Sequence, residues 1–147
     1  MDVRFMKIAL LEANKAYNNS DVPVGAIIVY KNKIIAKGYN KKEKNQNVLK
    51  HAELIAIDKA CKKMKSWRLN ECVIYTTLFP CPMCAAAIQQ ARISKLVYLD
   101  NSNNKFITHI SSNILHNKKN NHQVRIEKIN IHSDLIRTFF DELRVNK

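Results

Sequence analysis

Two short stretches constrain this chain most strongly, because the side chains they carry suit a single shared site. Residues 80–84 read Pro-Cys-Pro-Met-Cys, so two thiols stand three residues apart. A helix that begins near Pro82 brings both sulfurs to one face of its first turn, and its positive N-terminal end favours thiolates. We therefore predict that Cys81 and Cys84 bind a metal ion from the start of a helix.

Two thiolates do not complete such a site, and His51, at the start of another helical pattern, is the best-placed third ligand. Glu53 follows it closely and can reach the same pocket from the first turn of that helix. A carboxylate beside a zinc ion can take a proton from water and return it to a leaving amine. The set favours an open, catalytic zinc site. The alternative is a closed structural site with Cys61 or Cys72 as fourth ligand.

Composition fits a single intracellular domain over residues 1–147. The chain has no run of about 18 apolar residues and no signal peptide at its start, so we expect a cytoplasmic protein without a membrane span. Four cysteines in such a protein indicate metal ligands or buried thiols rather than disulfides. The net charge of +13 favours a polyanionic partner such as nucleic acid, although a compositional bias explains it equally well.

The hydrophobic pattern predicts alternating helices and strands. Helices are expected at 2–17, 51–64, 82–91, 110–116 and 133–144, and strands at 24–30, 33–39, 72–76, 95–99 and 124–129. Residues 41–50 are expected to form a polar loop and residues 118–122 a basic turn. Gly25 is expected where a backbone or a ligand approaches the first strand closely. The prediction is an α/β fold of three layers, α/β/α, with a mixed five-stranded sheet and helices on both faces.

These motifs resemble a known family. His51-Ala52-Glu53 followed by Pro-Cys-x-x-Cys is similar to the signature of the zinc-dependent cytidine and deoxycytidylate deaminase superfamily. Residues 22–26, 38–40 and 75–78 resemble the bacterial tRNA-specific adenosine deaminases within it, and residues 121–122 and 139–140 do so more loosely. The resemblance is in good register from about residue 5 to 99 and weak from 100 to 130.

The resemblance implies a cytidine-deaminase-like fold and a set of roles. His51, Cys81 and Cys84 would hold one Zn²⁺ per subunit, and a zinc-bound hydroxide would attack C6 of adenine with Glu53 as proton shuttle. Asn40, Val24 and the backbone of Ala52 would hold the flipped base. The product would be inosine at the wobble position of a tRNA anticodon, and the enzyme would be a homodimer. Candidate RNA contacts in the second half are His116, Lys118, Lys119, Asn121, His122, Phe140 and Arg144.

Three departures from the family pattern bear on activity. Phe79 stands where the family usually has Glu, and an aromatic ring cannot accept the hydrogen bond that a carboxylate would, which predicts weaker support of the metal site. Residues 101–106 lack the family's Asp and Gly, and Lys118-Lys119 replace its Pro-Gly. Two further functions therefore remain open: a deaminase of a free base or nucleoside such as guanine or cytosine, and a catalytically impaired homologue that binds zinc and RNA.

Overall fold

The computed structural model describes residues 2–100, 104–131 and 141. Its elements are α1 (Val3–Asn18), β1 (Gly25–Tyr30), β2 (Lys33–Tyr39), α2 (Lys42–Asn45), α3 (Ala52–Met64), β3 (Cys72–Leu78), α4 (Pro82–Gln90), β4 (Lys95–Asp100), α5 (Lys105–His116) and β5 (Arg125–Lys128). The strands form one sheet in the order β2-β1-β3-β4-β5. β1 is antiparallel to β2 and β3, whereas β3, β4 and β5 are parallel. The predicted mixed five-stranded sheet is confirmed.

Helices cover both faces of this sheet. Alternate residues of a strand point to opposite faces, and in β1 the pair Ile27 and Val29 packs with Met6 and Leu10 of α1. The pair Ala26 and Ile28 of the same strand belongs to the second core, which α3, α4 and α5 cover. The three layers expected from the sequence are therefore present. Within the described residues, no helix has the length and apolarity that crossing a bilayer requires.

Two of the predicted elements have a boundary that differs from the sequence-based expectation by two residues or more. β3 continues two residues further, to Leu78. α5 begins at Lys105 rather than at residue 110. The Asn104 side chain caps this helix, because its oxygen accepts hydrogen bonds from the backbone N–H groups of Phe106 and Ile107. The expected helix at 133–144 lies, apart from residue 141, outside the described residues.

The stretch at 41–50 is not wholly the polar loop that the sequence predicts, because it contains the short helix α2. The buried carboxylate of Asp21 accepts hydrogen bonds from the backbone N–H groups of Glu43 at 2.7 Å and Lys44 at 3.2 Å. These N–H groups of a helix start have no partner within their own helix. A residue from the α1–β1 connection therefore stabilises α2.

Both glycines of the chain lie where a helix backbone meets the sheet. A Cβ atom on Gly25 would collide with the backbone of α1 at Ala9 and Ala13, which confirms the predicted close approach. A Cβ atom on Gly38 would collide with the carbonyl oxygen of Ala52 and reach 3.0 Å from the backbone nitrogen of Ala56. The first turn of α3, with His51 at its start, therefore rests directly on β2.

We predict that Gly38→Ala lowers the free energy of unfolding by about 1–3 kcal/mol, because overpacking at a backbone contact forces α3 away from β2. Zinc content should fall with it, since His51 moves with the helix. Chemical denaturation and metal analysis test both effects. Lys37→Ala, at an exposed neighbouring position on β2, is the control. A Gly38→Ala protein with wild-type stability and zinc content would contradict the importance of this contact.

Candidate active site

The N-termini of two neighbouring helices present the three predicted metal ligands. His51 is the N-cap residue of α3 and Cys81 is that of α4, and neither side chain caps its own helix. Nδ1 of His51 lies 3.4 Å from Sγ of Cys84 and 3.8 Å from Sγ of Cys81. In a tetrahedral zinc site with the usual Zn–N and Zn–S bonds, such ligand atoms are about 3.6 Å apart. The donor set therefore fits zinc in both chemistry and spacing.

Within the described part of the chain, this is the one group of three or more His, Cys, Asp or Glu side chains that could hold a metal ion. Cys72 is fully buried and Cys61 is partly buried, and neither belongs to the group. The structure therefore brings together the predicted ligands and leaves out the cysteines that a closed site would have needed.

The two cysteine thiols are electrostatically different before a metal binds. The pKa of Cys81 is lowered to about 5. A hydrogen bond from the Cys84 thiol is the largest cause, and backbone N–H groups of the α4 N-terminus and the nearby His51 add to it, while burial opposes them. The same hydrogen bond raises the pKa of Cys84, the donor of the pair, and burial adds to the rise. The metal-free pair thus holds one negative charge on Cys81 and one proton on Cys84. A metal ion would displace that proton.

Glu53 completes the cluster as a buried carboxyl group. Glu53 is 4% exposed. Burial is the main cause of its raised pKa, and a hydrogen bond from its own backbone N–H partly opposes this rise. It also lies within hydrogen-bonding reach of the Cys84 thiol. A carboxyl group with a raised pKa beside metal ligands is typical of a residue that carries protons in a reaction.

The cluster opens into a cavity of about 200 Å³. Val24, Asn40, Ala52 and Glu53, all predicted from the sequence, line it together with His51 and Cys81. Six further lining residues were not predicted as site residues: Val22, Lys42, Leu78, Phe79, Pro80 and Ile107. The cavity is therefore lined mostly by apolar residues, and its polar groups include Asn40, Lys42 and Glu53 besides the metal ligands.

Asn40 is held in one orientation at the edge of this cavity. Its backbone N–H donates to the carbonyl of Val24 at 3.1 Å, and its side-chain Oδ1 accepts the backbone N–H of Lys42 at 3.1 Å. Because Oδ1 is the acceptor in that bond, the Nδ2 amide is the side-chain group left to donate to a ligand.

Comparisons of sequence and of structure identify proteins that are similar to this chain. The family model of the cytidine and deoxycytidylate deaminase zinc-binding region matches residues 1–100. The tRNA-specific adenosine deaminase of Bacillus subtilis (strain 168) is 36% identical to this chain, covering 99% of it and 92% of that protein. The tRNA-specific adenosine deaminase of Aquifex aeolicus is 38% identical, with coverages of 97% and 95%.

The chain belongs to the cytidine and deoxycytidylate deaminase family. Its relatives group it with the tRNA-specific adenosine deaminases, so the resemblance drawn from the sequence and the predicted enzyme class are confirmed. A solved structure from a study of A-to-I editing by tRNA wobble-position deaminases superposes with a TM-score of 0.75 at 31% identity, covering 86% of this chain and 98% of that one. The guanine deaminase of Bacillus subtilis gives a TM-score of 0.68 at 29% identity, with coverages of 98% and 94%.

Phe79, which departs from the family pattern, is buried against an aromatic ring in this deaminase. Its side chain is 4% exposed and meets the ring of Tyr98 edge-on at 4.8 Å between centroids. Its backbone N–H donates to the carbonyl of Asp100 at 2.8 Å, which fixes the chain just before Pro80. An apolar wall thus replaces the family carboxylate, and the ligand loop is held by backbone and aromatic contacts.

The five predicted RNA contacts of the second half that the structure describes do not line the cavity. Asn121 and His122 hold the turn after α5 against the end of α4: Oδ1 of Asn121 accepts from Gln89 at 3.2 Å, and Nε2 of His122 donates to the carbonyl of Ile93 at 2.8 Å. His116, Lys118 and Lys119 are exposed but do not line the cavity. Phe140 and Arg144 lie outside the described residues.

Of the cavity residues that were not predicted, Ile107 had a recognisable signal in the sequence and Lys42 had none. Ile107 was detectable, because Asn104 is a good N-cap residue and the apolar residues after it have a helical period. Lys42 was not, because its position follows from the long-range cap that Asp21 supplies to α2.

We predict that a thiol reagent at pH 7 labels Cys81 first in metal-free protein, because its lowered pKa makes it a thiolate. Cys72 should stay unlabelled in the folded chain, since burial raises its pKa to about 11. Adding one equivalent of zinc should protect Cys81. Mass spectrometry of labelled peptides measures all three. Equal labelling of Cys81 with and without zinc would contradict the ligand assignment.

Proposed function

We propose that this protein deaminates adenosine to inosine at the wobble position of a tRNA anticodon, by hydrolysis that releases ammonia. The observation that carries the proposal is the buried Glu53 beside the His51, Cys81 and Cys84 donor set, in a cavity that admits a small ligand. The similarity to tRNA-specific adenosine deaminases over nearly the whole chain supports the choice of tRNA as substrate.

Zinc held by His51, Cys81 and Cys84 would supply an activated water by lowering its pKa. Glu53 moves the protons: its carboxylate accepts one from the attacking water and passes it to the ring nitrogen. It then accepts the proton of the new C6 hydroxyl group and passes it to the amine, which leaves as ammonia while the C6 oxygen becomes a carbonyl. The raised pKa of Glu53 suits this role, because the carboxyl group must hold a proton at neutral pH before it gives it up.

The other cavity residues bind and orient the base. Nδ2 of Asn40 donates to an acceptor of the purine, and backbone groups at Ala52, in the first turn of α3, offer further hydrogen bonds. Val24 and Phe79 pack against the flat ring and exclude water from the reaction. The base must leave its stack to enter, as in other enzymes that act on nucleobases.

The charge of the protein supports a polyanionic substrate. The excess of 25 basic over 12 acidic residues gives +13, which attracts RNA over a long range. We propose that the exposed His116, Lys118 and Lys119 contact the tRNA at a distance from the cavity, that the protein works as a homodimer with one zinc per subunit, and that it acts in the cytoplasm. The turn at Asn121 and His122 presents that basic surface.

A free purine is the second candidate substrate, because the guanine deaminase of Bacillus subtilis has a similar fold over nearly the same length. The net positive charge favours RNA over a free base, which gains nothing from it. Turnover of free guanine faster than turnover of an RNA adenosine would reverse this order.

We predict that the zinc-loaded protein forms inosine in a tRNA with a wobble adenosine, and that Glu53→Gln lowers the rate by about 100- to 10,000-fold because the proton carrier is lost. Zinc content and RNA affinity should persist. Glu12→Gln is the matched control, since Glu12 is a buried carboxylate of α1 paired with Lys15. An inactive wild type that binds RNA would indicate the catalytically impaired homologue instead.

We further predict that Asn40→Asp lowers kcat/KM by about 5- to 150-fold, because the substrate acceptor loses its donor. The aspartate still accepts the backbone N–H of Lys42, so stability should be kept. Kinetics with an anticodon stem-loop and thermal unfolding measure the two effects. Asn32→Asp, in the exposed β1–β2 turn, is the control. Wild-type kcat/KM in Asn40→Asp would exclude the assigned orientation of the amide.

A further inference from the structure

The N-terminal turn of α5 stands at the mouth of the cavity. Ile107 contributes to the cavity wall, and the side chain of Asn104 fixes the turn by accepting the N–H groups of Phe106 and Ile107 at 3.1 and 3.2 Å. Neighbouring residues of a helix are separated by about 100° around its axis. Phe106 therefore points in a different direction from Ile107, and because it is largely exposed and does not line the cavity, its ring lies on the solvent side of the wall.

Phe106 is 70% exposed and is the most exposed of the large hydrophobic side chains in the described residues. Single exposed apolar side chains are common on proteins, so exposure alone indicates no partner. The position of Phe106 beside Ile107 does indicate a partner, because the part of a large substrate that stays outside a cavity must lie at its rim. Val22, also more than half exposed, and Lys42 belong to the same rim.

The cavity is too small to enclose more than a small part of an RNA. Its volume of about 200 Å³ is below the range of about 300–1,000 Å³ that is usual for drug-sized ligands. If one base enters, its neighbours in the strand remain outside and have lost a stacking partner. An exposed aromatic ring at the mouth restores stacking for such a base, whatever its identity.

We propose that Phe106 is a stacking platform for a nucleotide next to the adenosine that enters the cavity, and so helps this enzyme to select RNA over a free nucleoside. The proposal rests on the proposed function and adds to it a residue that binds the substrate outside the cavity. Lys42 at the rim supplies a positive charge on the side where the phosphate backbone passes.

The test is a cycle that pairs a protein change with an RNA change. Wild type and Phe106→Ala, both zinc-loaded, are compared on an anticodon stem-loop with a wobble adenosine and on two copies in which the 5′ or the 3′ neighbour is abasic. Affinity from fluorescence anisotropy and kcat/KM for inosine formation are measured on each. Phe106→Trp, which keeps an aromatic face, should retain wild-type values.

We expect Phe106→Ala to weaken binding of the intact stem-loop by about 5- to 150-fold. The loss should vanish on the RNA that lacks the stacked base and persist on the other abasic RNA. Trp67→Ala is the matched control, because Trp67 is 53% exposed and follows the far end of α3, about 20 Å from His51 along the helix.

Equal losses on all three RNAs, or no loss on any, would overturn the proposal. A change of oligomeric state in Phe106→Ala, seen by sedimentation, together with equal losses would show that the ring packs against a second copy of the chain. Absence of inosine with every RNA would refute the proposed function, and the affinity cycle would still decide the stacking contact.

Discussion

The contact between the first turn of α3 and Gly38 of β2 is the constraint on which the site depends. The helix backbone lies so close to the strand that no side chain fits between them. This contact fixes the positions of His51 and Glu53 relative to the sheet. α4 starts beside α3 with Cys81 as its N-cap residue. Ligands presented from two rigid helix starts need little rearrangement to bind a metal, because their spacing already matches that of a zinc site.

Burial gives the cluster its chemical character. Burial raises the pKa of Glu53. At Cys81 the effect of burial on the pKa is outweighed by hydrogen bonds from the Cys84 thiol and from the N–H groups of α4. One site therefore contains a carboxyl group disposed to hold a proton and a sulfur disposed to give one up. A structural metal site has no need of a buried carboxyl group beside its ligands, whereas such a group with a raised pKa is typical of a hydrolytic centre.

Phe79 illustrates how a departure from a family pattern acts through packing. The ring replaces a carboxylate near the ligand loop, and its edge contact with Tyr98 and the backbone bond to Asp100 hold the loop that leads to Cys81. It also extends the apolar wall of the cavity. The substitution thus exchanges a polar hydrogen-bond acceptor for a dry surface that suits a flat base.

The sequence by itself predicted the candidate ligands, the candidate proton carrier and the order of the sheet strands, because each prediction uses local signals: the Cys spacing, proline at the start of α4, and the β-branched, apolar runs of β1 to β4. Only the tertiary structure placed Lys42 and Ile107 at the cavity and showed that Asn121 and His122 hold the turn after α5 against the end of α4. Lys42 depends on Asp21, a cap from a distant connection. Such bonds form between residues far apart in the chain, and no local pattern records which pairs will meet.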